Sequence, residues 1–371
     1  MNNNIGLYIH IPFCAKKCNY CNFYSIPAGV NRYDEYLDIL ERAIYEWADR
    51  LSDRCIDTVY FGGGTPSLLG TKRLLKILNS VTQSFRLVNN SEITAEINPF
   101  SQDELDFREL KKAGFNRFSI GMQSIIPEEL RILGRLHKDE HVKKTIENIS
   151  NAGIDNYSLD VMQGIPLQTP ESLRKTLEFC VNSGASHIST YMLKIEKGTP
   201  FYKNAEKFVF PDDDTTADYY DLTCEFLKLN SFRHYEISNF CKDDKISRHN
   251  MKYWELEDYL GIGPSAHSLI DGKRFYYPAD FDSFSKGEIL FESEGKTAEE
   301  YIMLSLRTDR GLSFQKFKEL FNTPLPQHLI TEAEKLKKLN LLNISEDCIV
   351  LTEKGYLLSN IIISQLISKG I

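Results

Sequence analysis

The 371-residue chain has no run of 18 or more consecutive apolar residues, which excludes an ordinary membrane-spanning helix. Its opening stretch, MNNNIGLYIHIP, carries neither the basic cluster nor the apolar run that heads a secretory signal. These absences predict a cytoplasmic protein with no integral membrane segment. Positive charge is also short: 44 Lys and Arg face 52 Asp and Glu, a formal net charge of -8. The broad basic footprint that tracks a nucleic-acid backbone is therefore missing, and no nucleic-acid partner is expected. Of eight cysteines, five (Cys55, Cys180, Cys224, Cys241, Cys348) are scattered, unlike a secreted disulfide framework, and are expected to be small buried hydrophobes. The 42% of apolar residues can fill one large core and a smaller second one.

Up to about residue 195, β-rich runs alternate with stretches of helical period. Strands are predicted at 7–11, 58–61, 92–97, 117–120, 157–161 and 187–192, and helices between them at 33–51, 72–84, 101–113, 140–152 and 170–183. Six βα units in succession predict an α/β fold, a partial (β/α)6 barrel, although a doubly wound open sheet has the same local signature. In both folds chemistry belongs at the strand C-termini. The unusual segments fall there: Cys14 onward after strand 1, GGGTPS after strand 2, NP after strand 3, GMQS after strand 4 and QGIP after strand 5.

The expected organisation is a barrel domain over 1–237, a connecting segment over 238–297 and a small domain over 298–371. In the last, helical runs at 299–306, 313–321 and 329–339 precede the alternating LLNISEDCIVLT and a helix from Glu353, an order that reads as winged-helix-like. Its nine Lys and Arg are balanced by nine Asp and Glu, which favours a structural or protein-contact role over DNA binding.

Cys14, Cys18 and Cys21 form C-x3-C-x2-C in a loop after a strand, so three thiolates can converge on one inorganic centre. A structural zinc site would want a fourth Cys or His, but position 23 is Phe and His10 lies on the preceding strand. A 4Fe-4S cluster on three cysteines would instead leave one iron open. A zinc knuckle or reactive thiols are the bland alternatives.

With Tyr20 just before its last cysteine, this motif resembles the radical S-adenosylmethionine (SAM) superfamily, in which the amino and carboxylate groups of SAM chelate the open iron. GGGTP at 62–66 agrees, since glycines let the backbone approach the methionine end closely. The segments YIHIPFC, YFGGGTPS, EINP, SIGMQS, LGRLH, SLDVMQGIPLQT, YEISNF, HNMKYW and YLGIGPSAHS are similar, in order, to the branch holding oxygen-independent coproporphyrinogen III dehydrogenase. The resemblance implies Tyr8 near the SAM carboxylate, Tyr20 against the adenine, and Gly63, Gly64 and Thr65 along the methionine. It further implies Glu96 as a polar contact, and Gln123, Arg135 and Asp160 at positions that line a second SAM site in the dehydrogenase. Capping carboxylates (Glu96, Asp160) and a surface ion pair (Arg135) are the structural alternatives.

Two departures from the dehydrogenase are similar to the HemW-type haem chaperones: Phe23 stands where a fourth Cys is usual, and only about six residues precede Leu7. HNMKYW at 249–254 matches the H-N-x-x-Y-W motif of that subfamily. The resemblance implies haem binding and delivery to an acceptor protein, with His249 as axial ligand and Tyr253 and Trp254 as flat apolar surface. His137, His267 and the Cys241 thiol are competing ligands. The cluster would order the haem site, dimerise the chain or drive reductive SAM cleavage. The rival readings are oxidative decarboxylation of coproporphyrinogen III to protoporphyrinogen IX, and an adaptor acting through the C-terminal domain.

Overall fold

In the first three strands, β1 (Asn4–Ile11), β2 (Cys55–Gly63) and β3 (Arg86–Ile97), large apolar residues alternate with a second, mixed set. Side chains alternate across a strand. The parallel register pairs Gly6, Tyr8 and His10 with Thr58, Tyr60 and Gly62, and then Thr58 and Tyr60 with Glu92 and Thr94. The second set therefore lies in layers on one face. On the other face the fully buried Leu7, Ile9 and Ile11 join Leu37, Leu40 and Ile44 of α1 (Val30–Arg50) in the main core. The computed structural model describes residues 3–368 and Gly370.

The parallel series continues through β4 (Arg117–Gln123), β5 (Tyr157–Gln163) and β6 (His187–Met192). The intervening helices are α2 (Gly70–Ser84), α3 (Phe107–Ala113), α4 (Pro127–Leu133), α5 (Asp139–Asn151) and α6 (Pro170–Asn182). The helix expected over 101–113 is shorter than its periodicity suggested. Asp106 holds an extended backbone and accepts the N–H groups of Arg108 and Glu109, each at 3.0 Å, so the helix starts after it.

Among the described residues β1 and β6 do not pair with each other, so the six-stranded core stays open. After α7 (Asp213–Leu229) come β7 (Arg233–Glu236), β8 (Asn239–Cys241) and α8 (Arg248–Trp254), then β9 (Tyr259–Ile262), β10 (His267–Ile270), β11 (Lys273–Tyr276) and β12 (Leu290–Glu294). β8 joins β6 antiparallel and β9 joins β1 parallel. The result is one mixed sheet in the order β12-β11-β10-β9-β1-β2-β3-β4-β5-β6-β8-β7.

Three further helices, α9 (Ala298–Ser305), α10 (Phe314–Phe321) and α11 (Gln327–Lys338), accompany short strands β13 (Leu312–Ser313), β14 (Leu342–Ile344) and β15 (Cys348–Leu351), paired in the order β13-β15-β14. This unit is tied to the main sheet by Asp309 N–H donating to the Tyr235 carbonyl (2.9 Å) and Ile237 N–H donating to that of Arg307 (3.0 Å). Four of the scattered cysteines are buried, as expected. Cys348 is only half-buried, because β15 turns it toward Ser345 near the surface. No helix among the described residues is long and apolar enough to cross a membrane.

Candidate cluster and cofactor site

The C-terminal ends of the core strands open into a cavity of about 430 Å³. Cys14, Cys18 and Cys21 line it together with Tyr20, Gly63, Gly64, Thr65, Glu96, Gln123, Arg135 and Asp160. Of the residues expected to hold the cluster and SAM, only Tyr8 lies outside this lining; His249 and the other candidate haem contacts lie outside it too.

The cysteine loop is fastened at both ends. Phe13–Cys14 pairs with Ile26–Pro27, and the Asn19 backbone N–H and side-chain amide donate to the carbonyls of Leu133 (3.0 Å) and Ile132 (2.7 Å) on α4. The glycine loop after β2 is drawn against it, with Gly64 N–H donating to the Ile11 carbonyl at 2.7 Å. A Cβ at Gly64 would stand 2.7 Å from the Phe13 carbonyl oxygen and 2.8 Å from that of Ile11, both immovable backbone. Gly63 has φ 108°, and a Cβ there would lie 2.6 Å from the His10 ring. Two glycines are thus what lets the Thr65 hydroxyl come within 3.6 Å of the Cys14 sulfur.

Glu96 accepts from the Tyr60 hydroxyl (3.0 Å) and the Gly63 N–H (3.2 Å). Burial, reinforced by nearby Asp160, raises its pKa to about 7. Burial also raises that of Asp160, which accepts from the Ser119 hydroxyl at 3.1 Å. Two poorly solvated carboxylates on one cavity favour a cationic ligand. Arg135 is no surface ion pair. It is directed at the Cys18 sulfur (3.6 Å) and the Gly121 carbonyl, and its Nε is buried without a partner. Gln123 takes a left-handed backbone conformation (φ 68°) at a break in the β4–β5 register, a strained geometry of the kind found at ligand sites.

These donors fit an iron-sulfur cluster with SAM. Three free thiols share the cavity, a guanidinium stands beside one of them with an unsatisfied N–H, and two glycines keep the adjoining loop free of side chains where none has room.

Tyr8 and His249 sit below the cavity, on the inner face of the sheet. The Tyr8 hydroxyl bonds His10 Nδ1 at 3.1 Å. His249, expected as an axial ligand, is enclosed in this structure. Its ring is 1% exposed and stacked on Tyr60 with centroids 5.2 Å apart. Hydrogen bonds of 2.8 Å occupy both nitrogens, Nδ1 with the Thr58 hydroxyl and Nε2 with that of Tyr253. Burial lowers its pKa to about 3, so the ring is neutral. The rest of α8 is anchored too. Glu92 accepts the Arg248 and His249 N–H groups (3.1 and 3.0 Å), and buried Lys252 bridges Asp57 (2.8 Å) and Glu257 (2.7 Å). The competing ligands lie elsewhere: His137 is bonded to the Met122 carbonyl, His267 to Glu292, and Cys241 is buried beside Tyr235 and Met251. Tyr60, Thr58 and His10 were not singled out by the sequence. Their signal was there, as polar residues in alternate positions of otherwise apolar strands.

Residues 8–180 match the radical SAM superfamily and residues 296–358 the HemN C-terminal domain. Over 365 residues the chain is 32% identical to the heme chaperone HemW of Bacillus subtilis, spanning 95% of this chain and 96% of that one. The chain belongs to the HemW family. It is also 36% identical over 264 residues to radical S-adenosyl methionine domain-containing protein 1, mitochondrial, of Danio rerio, covering 71% of this chain but only 60% of that protein. The structure of coproporphyrinogen III oxidase (HemN) from Escherichia coli has the same fold, with a TM-score of 0.84 over 98% of this chain and 89% of that one at 23% identity. The sheet that carries the thiol-lined cavity is therefore the radical SAM core of a HemW-family chain, a superfamily built around a 4Fe-4S cluster and SAM.

Proposed function

We propose that this chain binds haem in the cytoplasm and passes it to an acceptor protein, with a 4Fe-4S cluster and SAM held in its cavity. The 32% identity to a heme chaperone across 95% of the chain carries this reading. Cys14, Cys18 and Cys21 would hold the cluster, and Arg135 sets a positive charge beside the Cys18 sulfur. Gly63, Gly64, Thr65 and Glu96 would take the methionine end of SAM, Tyr20 the adenine, and Gln123 and Asp160 the opposite wall. Tyr8 would act from below, through His10. When bound, the cluster supplies an electron for reductive SAM cleavage, and the protein's part is orientation and exclusion of water. We assign the barrel to 1–237, its closure to 238–297, and a winged-helix-like contact surface for the acceptor or a second copy to 298–371. His249 would ligate haem iron only in a state in which its bonds to Thr58 and Tyr253 have been released.

Anaerobic haem titration of the reconstituted protein, followed at the Soret band, tests this reading. Saturable binding is expected, with an altered band in His249→Ala. An unchanged band in that variant removes His249 as ligand. Absence of binding by the wild type, or conversion of coproporphyrinogen III to protoporphyrinogen IX, contradicts the chaperone reading.

The Glu96 carboxyl gives a second expectation. Below pH 7 it becomes a neutral acid and loses its attraction for an ammonium group. SAM affinity measured by equilibrium dialysis should therefore weaken as pH falls from 7 toward 5, approaching about tenfold per unit. In Glu96→Gln the affinity should be weaker and independent of pH. The same slope in the variant as in the wild type would rule Glu96 out.

A further inference from the structure

We infer that His249 is a positioning residue for the SAM cradle: it supports Tyr60 from beneath, and Tyr60 in turn holds Glu96 against the Gly63 amide. This inference rests on the proposed SAM site. It gives the H-N-x-x-Y-W helix a role in the protein before any haem is bound.

The link is a column of three contacts on the inner face of the sheet. At its foot, the His249 ring is fixed in plane by hydrogen bonds at both nitrogens. Above it lies the Tyr60 ring, nearly parallel at 26° and 5.2 Å between centroids, with Tyr8 stacked beside both at 6.2 and 6.4 Å. The far end of Tyr60 donates to Glu96 Oε1 at 3.0 Å, and Glu96 Oε2 accepts from the Gly63 N–H at 3.2 Å. Burial of the imidazole requires both nitrogens to be bonded, and these two bonds fix the plane of the ring under Tyr60.

On the β1 side no side chain can take the place of the ring. Its neighbour on β1 is Gly6, where even a Cβ would come within 3.2 Å of His249 Cε1. Removing the imidazole therefore leaves a void directly under Tyr60, bordered by a residue with no side chain. Tyr60 can settle into that void, and its hydroxyl then leaves Glu96. The carboxylate loses one of its two donors and Gly63 loses its fixed acceptor. The cysteine loop is fastened separately through Phe13, Asn19 and Ile26, so iron content should not change.

The test is SAM affinity of the anaerobically reconstituted protein by equilibrium dialysis, on wild type, His249→Ala, Tyr60→Phe and the double variant, with bound iron measured in each. Each single change should weaken SAM binding by about fivefold or more with iron retained. Because both act through the same hydroxyl, the double variant should match the weaker single within about twofold. His249→Phe, which keeps a ring under Tyr60 but loses both tethers, should recover only part of the affinity and stay about threefold or more weaker than the wild type. Wild-type affinity in His249→Ala, or multiplied losses in the double variant, would overturn the inference. Should His249→Ala fail to fold, Thr58→Val, which unties Nδ1 alone, must still weaken SAM binding by about threefold; wild-type affinity there is equally fatal. Failure of the wild type to bind SAM at all would reject the underlying site and is seen in the control.

Discussion

Replacing any one of Cys14, Cys18 and Cys21 with alanine should lower the iron bound by the reconstituted protein from about four atoms per chain to less than one. Each thiolate in a three-cysteine cluster serves its own iron, so two cannot hold what three do. No neighbour can stand in. Position 23 is an exposed Phe, and Cys55, Cys180, Cys224 and Cys241 are buried in the body of the fold, away from the cavity lining. The three thiols are themselves only half-buried, so the metal-free variants should unfold in urea close to the wild-type midpoint. Cys180→Ala and Cys241→Ala should do the reverse, keeping their iron while losing some stability. Colorimetric iron content with the broad absorbance near 400 nm checks both halves, and full iron in any single variant of the three would exclude this ligand set.

The second large effect concerns pH. Burial lowers the pKa of five histidines: His10 and His234 to about 4, His137 and His249 to about 3, and His187 well below its ordinary value. The unfolded chain takes up protons on these rings at about pH 6.5 and the folded chain does not. Their stability contribution is therefore complete above pH 6.5 and is lost as pH falls. Glu96 and Glu236, raised by burial to about 7 and about 8, work in the opposite sense, since the folded chain keeps protons that the unfolded chain releases above about 4.5. Burial raises Asp160 and Asp309 in the same direction, and the five rings still outweigh these four carboxyls. Unfolding should take up about one to three protons net between pH 6 and 5, a loss of about 1–4 kcal/mol per pH unit. Urea midpoints of the metal-free protein should drop steeply over that range, and less steeply in His249→Phe. A midpoint that is flat or rises toward pH 5 would contradict the burial of these rings.

Much of the cavity was legible because its residues stand at strand ends, and period-two patterning locates strands well. Cys14, Gly64, Glu96 and Asp160 came together on that basis, with the family resemblance naming their roles. The register that layers Tyr8 on Tyr60 over His249 was not legible, because it depends on contacts distant in sequence. β9 brings residues 259–262 parallel to β1, and α8 is thereby carried under a strand some 240 residues earlier. Read locally, HNMKYW is a short polar and aromatic turn free to meet a ligand. In the fold it is a plug, held by Glu92 at its start and by Asp57 and Glu257 at Lys252. Helix 101–113 failed for a local reason: the Asp106 cap competes with helical periodicity and wins. The two-residue strand Leu312–Ser313 is too short to show an alternation at all.

In the proposed site one cavity unites three thiolates and a SAM cradle around a single cluster. Electron paramagnetic resonance of the anaerobically reconstituted, reduced protein tests it most directly, before and after addition of SAM. One 4Fe-4S signal is expected, with g values that shift when SAM is added. An identical spectrum at saturating SAM, or a protein that takes up one zinc per chain in place of iron, would contradict it.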